Sequence, residues 1–368
     1  MIKYIWISLL LITISTSAQQ LPVVSTLNNS INESSGIVYV NDILITHNDS
    51  GGGNELYQVD TATGNVERTI VISNATNVDW EDLAADDTFI YIADFGNNSG
   101  SRTDLKIYKV LISDVLNFNS VTAEVIEFSY KDQVDFTPTT ASTDYDAEGL
   151  ISFQDNLYIF TKQWTSQNTS VYELSKTPGN YELDITDSIN INGLVTSGTV
   201  SIDESTVLLT GYNISIVPFG FSPFIIELTG FSGSQFSNGT SVKTSISTPN
   251  GLSSQIEAIA PLGLSDFYLT SEVFNSDNPA LFSYTSNSLG ISDSNLNATG
   301  FYPNPSSDMI FFKNDVSRVE VYSSSGQLII EQTHGDPIII TNIDRGLYLV
   351  VLTNSQDRYS TTQKLIVN

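Results

Sequence analysis

A short motif recurs along the middle of this chain, and the repeat constrains the fold more than any other feature of the sequence. Five copies occur at intervals of about 45 to 65 residues, a spacing typical of the blades of a β-propeller. Each copy opens with a strand-like segment of small and β-branched residues, and four of the five segments begin with glutamate. The opening segments are residues 33–38, 81–84, 148–151, 197–200 and 257–260.

Each opening segment is followed by further segments rich in Leu, Ile, Val, Phe and Tyr, which are typical of β-strands. The predicted second strands are residues 43–46, 89–93, 157–161, 207–210 and 267–270. The predicted third strands are residues 55–59, 105–110, 170–174, 224–228 and 280–284. A fourth strand is predicted in four copies only, at residues 66–72, 123–130, 181–189 and 241–246. The fifth copy therefore lacks one strand.

An extended segment without a partner, residues 22–27, precedes the first copy and can supply the missing strand. Such an arrangement closes a ring of sheets and leaves only short, protected sheet edges. The sequence therefore predicts an all-β fold, a five-bladed β-propeller, over residues 21–286. Six blades are the alternative if residues 114–143 or 212–223 hide another unit, and a two-sheet sandwich is less favoured.

Composition limits the kinds of ligand and site. The chain has 14 Lys and Arg against 41 Asp and Glu, so its formal net charge is −27. This charge argues against binding of nucleic acid or of an anionic membrane. Cysteine is absent, and the only histidines are His47 and His334. These counts exclude disulfides, thiolate metal sites and histidine-rich metal sites, so oxygen atoms are the ligands available to a metal.

Propeller topology brings the glutamates of the opening segments together. In a blade, the innermost strand begins on the same face as the loop between the second and third strands. Glu33, Glu81, Glu148 and Glu257 are therefore expected at one mouth of the central channel, with the residues that follow the second strands. Those residues are His47, Asn48, Asp49, Asp94, Lys162, Gln163, Tyr212, Asn213 and Glu272. Asp79, Asp82 and Asp146 flank the opening glutamates, so the expected constellation is rich in carboxylates.

Carboxylates that share a channel repel one another, and each raises the pKa of its neighbours unless a cation lies among them. Ca²⁺ is the first choice of cofactor because it accepts about six to eight flexible oxygen ligands. The alternative is structural: each opening glutamate accepts hydrogen bonds from the backbone of the neighbouring blade and binds no ligand. The predicted metal ligands are Glu33, Glu81, Glu148, Glu257 and Asp94.

One stretch of the central domain combines polar and aromatic residues at high density. It reads Asp-Trp-Glu-Asp-Leu-Ala over residues 79–84 and Asp-Phe-Gly-Asn-Asn over residues 94–98. With glutamates at its blade openings, the central domain resembles calcium-dependent secreted β-propellers of the phytase-like esterase and gluconolactonase groups. The resemblance implies a calcium ion at the channel mouth.

The two ends of the chain have the patterns of export signals. Residues 1–18 combine Lys3, an apolar run and a small residue at the expected cleavage point, Ala18, which is the pattern of a secretory signal peptide. Residues 287–300 alternate Ser, Asn and Gly and are predicted to form a flexible linker. Residues 301–368 open with Phe-Tyr-Pro-Asn-Pro and close with a Lys-Leu-Ile-Val segment.

In the order of its landmarks, the segment 301–368 resembles the C-terminal sorting domain of the bacterial type IX secretion system. The resemblance implies a small immunoglobulin-like β-sandwich that the outer-membrane translocon recognises and that is removed on release or on attachment to surface lipopolysaccharide. No segment after the predicted signal peptide is long and apolar enough to be a transmembrane span. We therefore expect a secreted protein or one attached to the outer-membrane surface.

Two functions are compatible with these features. The first is a binding protein whose acidic face holds Ca²⁺ and presents a site for a glycan, a peptide or another protein. The second is a calcium-dependent extracellular hydrolase of phosphoesters, esters, lactones or glycosides. Its candidate catalytic residues are Glu81 or Glu148 as the general base, and Lys162 or His47 beside the leaving group. Glu81 and Glu148 are also the candidates for a paired-carboxylate glycosidase site.

Overall fold

The computed structural model describes residues 18–49, 51–216, 219–249, 255–273, 278–286, 300–313, 316–323, 326–333, 336–354 and 360–368. The predicted signal peptide (1–18) and linker (287–300) lie outside these residues, apart from Ala18 and Gly300. The chain divides into two units, Met1–Gly290 and Ile291–Asn368. None of the described helices has the length and apolar character needed to cross a membrane.

The first unit contains five sheets, and each is built mainly from strands that follow one another in sequence. Two short strands come first, β1 (Gln19–Gln20) and β2 (Val23–Thr26). The first sheet contains β3 (Ser34–Val40), β4 (Ile43–Asn48), β5 (Glu55–Val59) and β6 (Val66–Ile72). The second contains β7 (Trp80–Ala85), β8 (Phe89–Asp94), β9 (Lys106–Leu111) and, after β10 (Ser120–Val121), β11 (Glu124–Tyr130).

The third sheet contains β12 (Asp146–Phe153), β13 (Asn156–Lys162), β14 (Thr169–Ser175) and, after β15 (Gly179–Leu183), β16 (Ile185–Ile189). The fourth contains β17 (Leu194–Val200), β18 (Thr206–Ile216), β19 (Phe219–Thr229) and β20 (Thr240–Ser247). The fifth contains β21 (Ile256–Pro261), β22 (Asp266–Ser271) and β23 (Ala280–Thr285). One α-helix, α1 (Ile112–Asn117), follows β9, and short 3-10 turns cover Asn29–Ile31 and Phe236–Asn238.

The last sheet is completed from the other end of the unit. β2 pairs antiparallel with β23, with Val23 opposite Phe282 and Thr26 opposite Ala280. The prediction that residues 22–27 supply the missing strand of the fifth copy is therefore confirmed. The stretches that could have hidden a sixth repeat do not form a separate sheet among the described residues. Residues 212–216 and 219–223 lengthen the β18–β19 hairpin, and residues 114–143 include part of α1, β10, β11 and a loop.

The predicted strand 181–189 is wrong as a single element. Its first half, β15, pairs parallel with β11 of the second sheet, and its second half, β16, pairs antiparallel with β14 of the third. The chain changes sheets at Asp184, where the carboxylate forms an ion pair with Lys131 of the loop after β11. In the same way, β10 and β1 add parallel edge strands to the first and fourth sheets.

The first strands of the five sheets contact one another in a cycle: β3 with β7, β7 with β12, β12 with β17, β17 with β21, and β21 with β3. A separate apolar cluster fills each of the five spaces between neighbouring sheets. Trp80, for example, is fully buried between the first and second sheets. Each such fully buried large side chain stabilises the fold by about 1.5–3 kcal/mol.

Asp82 joins three of these first strands. Its Oδ2 atom accepts hydrogen bonds from the backbone N–H of Leu150 on β12 (2.8 Å) and of Gly198 on β17 (3.1 Å). Its Oδ1 atom accepts from the Ser197 hydroxyl (3.0 Å) and from the N–H of Leu83. The structural role predicted as an alternative for the opening glutamates, to accept hydrogen bonds from the backbone of a neighbouring sheet, is thus performed by Asp82, the residue after Glu81.

The second unit has two antiparallel sheets. One contains β24 (Gly300–Tyr302), β25 (Met309–Lys313) and β28 (Ile338–Ile339). The other has the order β27 (Leu328–Gln332), β26 (Val316–Ser323), β29 (Gly346–Asn354) and β30 (Ser360–Val367). Both sheets contribute to one buried cluster that includes Ile310, Val319, Val350 and Leu365. The C-terminal unit therefore has its own core.

Candidate functional site

A cavity of about 200 Å³ lies at the ends of the first and second strands, and side chains from all five sheets of the first unit line it. Most of these side chains are acidic or polar, and the only base among them is Lys162. The structure therefore brings Glu81, Glu148 and Glu257 together. The lining residues are Ser35, Asp49, Glu81, Asn98, Glu148, Lys162, Trp164, Tyr212, Gln255, Glu257 and Glu272.

A recurrent β-bulge aims the three glutamates into the cavity. In β7 the pairing with β8 skips from Trp80 to Asp82, so Glu81 has no partner. Glu148 in β12 and Glu257 in β21 are skipped in the same way. A bulge bends the strand and redirects the side chain of the extra residue, which explains why an acidic residue can face inward next to apolar neighbours.

The bulge also shows which residue of the first sheet corresponds to these glutamates. In β3 the pairing with β4 skips from Ser34 to Ile37, so Ser35 and Gly36 form the bulge. Ser35 lines the cavity, and its hydroxyl donates a 2.7 Å hydrogen bond to the backbone carbonyl of Glu81. Glu33 lies two residues earlier, is exposed, and does not line the cavity. The position predicted for Glu33 is thus occupied by Ser35.

On one side of the cavity, Lys162 is held by an ion pair and two aromatic rings. Its Nζ atom lies 2.9 Å from Glu148 Oε1, 5.0 Å from the centre of the Trp164 ring and 5.2 Å from that of Tyr212. Burial lowers the pKa of Lys162, but the charges of Glu148, Tyr212, Glu257 and Asp146 together outweigh burial and raise it well above its ordinary value. The lysine therefore carries its proton at neutral pH.

The other side of the cavity borders a cluster of three carboxylates, those of Asp49, Asp79 and Glu81, of which Asp49 and Glu81 line the cavity. One oxygen atom of each lies within 4.8 Å of the other two. Glu81 is only 3% exposed, and no described residue donates a hydrogen bond to its carboxylate. Burial, together with the charges of Asp49 and Asp146, raises the pKa of Asp79 to about 7. Burial and Asp49 raise the pKa of Glu81 in the same direction.

Gly96 makes room for this cluster. A methyl group added at Gly96 would lie 2.1 Å from Glu81 Oε1 and 2.5 Å from Asp79 Oδ2. The N–H of Gly96 donates to the backbone carbonyl of Asp79 (3.1 Å), so the loop after β8 is fastened against the carboxylates. Arg102 secures the same loop by donating to the Gly96 carbonyl (2.9 Å).

Asp94 contacts the backbone of Asp79, a member of the cluster, but does not line the cavity. Its Oδ1 atom accepts from Arg102 (2.9 Å) and from the backbone N–H of Asp79 (3.1 Å). The predicted metal ligand is therefore committed to an ion pair, because β8 ends beside the loop that carries Arg102.

His47 does not line the cavity either. The ring is fully buried and packs edge-on against Trp80, with 5.6 Å between ring centres. Its Nδ1 atom lies 2.9 Å from the Asn48 carbonyl oxygen, and its Nε2 atom has no partner among the described residues. Burial lowers the pKa of His47 to about 4, so the ring is neutral. It is not placed to act beside a leaving group in the cavity.

Asp79 is one of the acidic residues predicted to flank the opening glutamates, although it is not among the predicted metal ligands, and the structure places it in the acidic cluster. Asp79 precedes Glu81 by two residues, and side chains two apart along an extended chain share a face. Asp49 and Glu272 were expected at the channel mouth from their positions after β4 and β22, and both line the cavity.

Comparison with known proteins identifies the C-terminal unit. Residues 300–368 match the family described as the secretion system C-terminal sorting domain. The resemblance predicted for 301–368 is confirmed, and it indicates export to the cell surface or the medium by the type IX secretion system. No curated protein matches the chain in sequence.

Several solved structures resemble the chain at low sequence identity. One is PorZ, an essential surface component of the type IX secretion system of Porphyromonas gingivalis, with 12% identity and a TM-score of 0.31. The match covers 91% of this chain and 45% of PorZ, so the chain spans less than half of that protein. The WD40 β-propeller domain of Doa1 has 13% identity, a TM-score of 0.32 and coverage of 93% and 96%. An exo-β-1,3-galactanase from Phanerochaete chrysosporium has 10% identity, a TM-score of 0.43 and coverage of 95% and 94%.

Proposed function

We propose that the exported protein is a five-bladed β-propeller that binds Ca²⁺ in its acidic cavity and uses this face to bind an extracellular glycan, peptide or protein. The observation that carries the proposal is the cluster of Asp49, Asp79 and Glu81, in which the largely buried side chain of Glu81 lines the cavity beside two other carboxylates. Carboxylates so close together repel one another, and a cation bound among them would remove that repulsion.

The blade number is supported by the cycle of contacts between the five first strands and by the five apolar clusters between sheets. A propeller blade needs apolar residues on both faces because it packs against two neighbours. The pairing of β2 with β23 supplies the fourth strand of the last blade. The count of sheets and the closing strand favour five blades.

The choice of Ca²⁺ follows from the ligand atoms. Asp49, Asp79 and Glu81 offer only carboxylate oxygens, and the one histidine nearby, His47, points away from the cavity. Hard cations prefer such ligands, and Ca²⁺ tolerates irregular geometry better than Mg²⁺ does. Three carboxylates supply three to six oxygens, so water or a ligand hydroxyl would complete the shell of about six to eight.

Calorimetric titration of the full chain with Ca²⁺ and with Mg²⁺ tests the proposal. We expect one saturable Ca²⁺ site that is lost in Glu81→Gln and retained in Glu33→Gln, an exposed glutamate outside the cavity. If the folded wild-type chain releases no heat and gains no thermal stability with millimolar Ca²⁺, the proposal that it binds Ca²⁺ is contradicted. Glycan and peptide arrays with and without Ca²⁺ would then identify the ligand class.

Hydrolysis is the second candidate, and the Lys162–Glu148 pair favours it. A cation in the carboxylate cluster would activate water or polarise a phosphoester, ester or lactone. Lys162 is protonated and lies in the same cavity, where it could donate a proton to a leaving oxygen. Turnover of model esters, lactones and glycosides that is lost in Lys162→Met but not in Glu33→Gln would favour this alternative.

A further inference from the structure

Part of the outer face of the four-stranded sheet in the sorting domain is apolar. Four aliphatic side chains on it are exposed by 38–47%: Leu328, Leu347, Leu349 and Ile366. They belong to three strands, β27, β29 and β30. We call these four residues, together with the half-buried Tyr322 on β26, the outer patch.

The strand register makes the outer patch continuous. Tyr322 lies opposite Leu328 on one side and opposite Leu349 on the other. Leu347 lies opposite Ile366, one step of the pleat away from Leu349. The residue between the two leucines, Tyr348, points the other way and is buried in the core of the domain. The patch is therefore one surface, formed by the side of each strand that faces away from the core.

This pattern departs from that of an ordinary antiparallel sheet with one solvated face. Such a sheet alternates apolar residues toward the core with polar residues toward water. Here charged residues of the same face border the patch: Arg318 pairs with Glu320 (2.9 Å) and Glu331 (2.8 Å), and the exposed Lys364 lies opposite Leu349. A contiguous exposed apolar patch with a polar rim is typical of a protein interaction site.

We propose that the outer patch is the surface by which the sorting domain docks on a protein of the type IX secretion machinery. The domain matches a secretion sorting family, so the machinery is the partner that it must contact. Residues 301–368 contain seven acidic and five basic residues, a net charge of −2, whereas the whole chain has −27. Contact through the patch therefore depends on apolar burial more than on charge. This proposal is independent of cation binding in the cavity.

The test is the export of full-length variants in a bacterium whose type IX system secretes the wild-type chain. Leu347→Ser combined with Leu349→Ser removes the centre of the outer patch. The control is Ile339→Ser, which changes an aliphatic residue of the other sheet that is 59% exposed. We expect the double variant to be exported about tenfold less, the loss that follows when two leucines no longer bury their exposed area.

Misfolding of the domain is excluded by two further measurements. The purified double variant should retain the circular dichroism spectrum and protease resistance of the wild type. The single variant Leu349→Met keeps the apolar surface and should therefore be exported as well as the wild type. Normal export of a folded double variant would overturn the proposal. If that variant also lost a concentration-dependent dimer, or if its first unit melted at a lower temperature, the patch would instead be covered by a second copy or by the chain itself.

Discussion

The ammonium group of Lys162 lies 2.9 Å from the carboxylate of Glu148, and both side chains are less than a tenth exposed. The two residues come from neighbouring strands of one sheet, with Glu148 at the bulge of β12 and Lys162 at the end of β13. A buried pair of this kind balances its own charges within the cavity, whereas Asp49, Asp79 and Glu81 opposite bring three carboxylates within 4.8 Å of one another.

Removal of one partner from this pair should destabilise the first unit. Lys162→Met leaves the carboxylate of Glu148 buried without a counter-charge, and we expect the free energy of unfolding to fall by about 3–5 kcal/mol. Chemical denaturation at neutral pH measures the loss. The double variant Lys162→Met/Glu148→Gln should recover most of it. If the double variant is as unstable as the single one, packing rather than charge holds this side of the cavity.

Gly96→Ala should remove cation binding. The added methyl group would come within 2.1 Å of Glu81 Oε1, so the carboxylate must move away from Asp79. Calorimetry with Ca²⁺ measures the affinity, and we expect a loss of about a hundredfold, comparable to loss of a supporting group around a metal. The control is Gly263→Ala, where the nearest atom to the added methyl would be 3.7 Å away. Equal affinity in both alanine variants would place the cation elsewhere.

His47 should make the fold less stable in mild acid. Its pKa is about 4 in the folded chain and about 6.5 when exposed, so below pH 6.5 the unfolded chain binds the extra proton. Stability from this group is complete above pH 6.5 and is lost as pH falls toward 4, by about 3 kcal/mol in total. Urea unfolding of the wild type and His47→Gln across this range gives the difference. Parallel curves for the two proteins would contradict the buried, neutral ring.

Asp82 should be essential for stability although it binds no ligand in our proposal. Asp82→Ala leaves the backbone N–H groups of Leu150 and Gly198 without their acceptor, at about 1–3 kcal/mol each. Thermal unfolding of this variant, beside Asp155→Ala at an exposed turn, measures the cost. A melting temperature that falls no more than that of the control would mean that water replaces the carboxylate.

Most strands of the first unit could be predicted because their apolar alternation and turns are local properties. The hairpin between β3 and β4, for example, turns at Asn41 and Asp42, which both have positive φ and are residues that favour such turns. The sheet that accepts a strand is not a local property. Nothing within residues 181–189 except Asp184 indicates that β15 and β16 join different sheets.

The candidate site was predictable to the extent that its glutamates occupy equivalent bulges. Glu81, Glu148 and Glu257 precede the same apolar pattern, and the structure brings all three to the cavity. The alignment failed for Glu33 because the first bulge lies further along the chain: Ser35 and Gly36 lie opposite His47 alone, and Glu33 precedes them. Pairing registers depend on the partner strand, so a bulge cannot be counted from one strand alone.

The strand that completes the fifth sheet comes from residues 23–26, whereas its partner comes from residues 280–285. A chain that is cut short after β22 would leave β2 without a partner, and a chain that lost β2 would leave β23 as an open edge. Closure of so long a loop costs only a little more entropy than closure of a shorter one. The fifth sheet therefore has its full set of four strands only when both ends of the first unit are present.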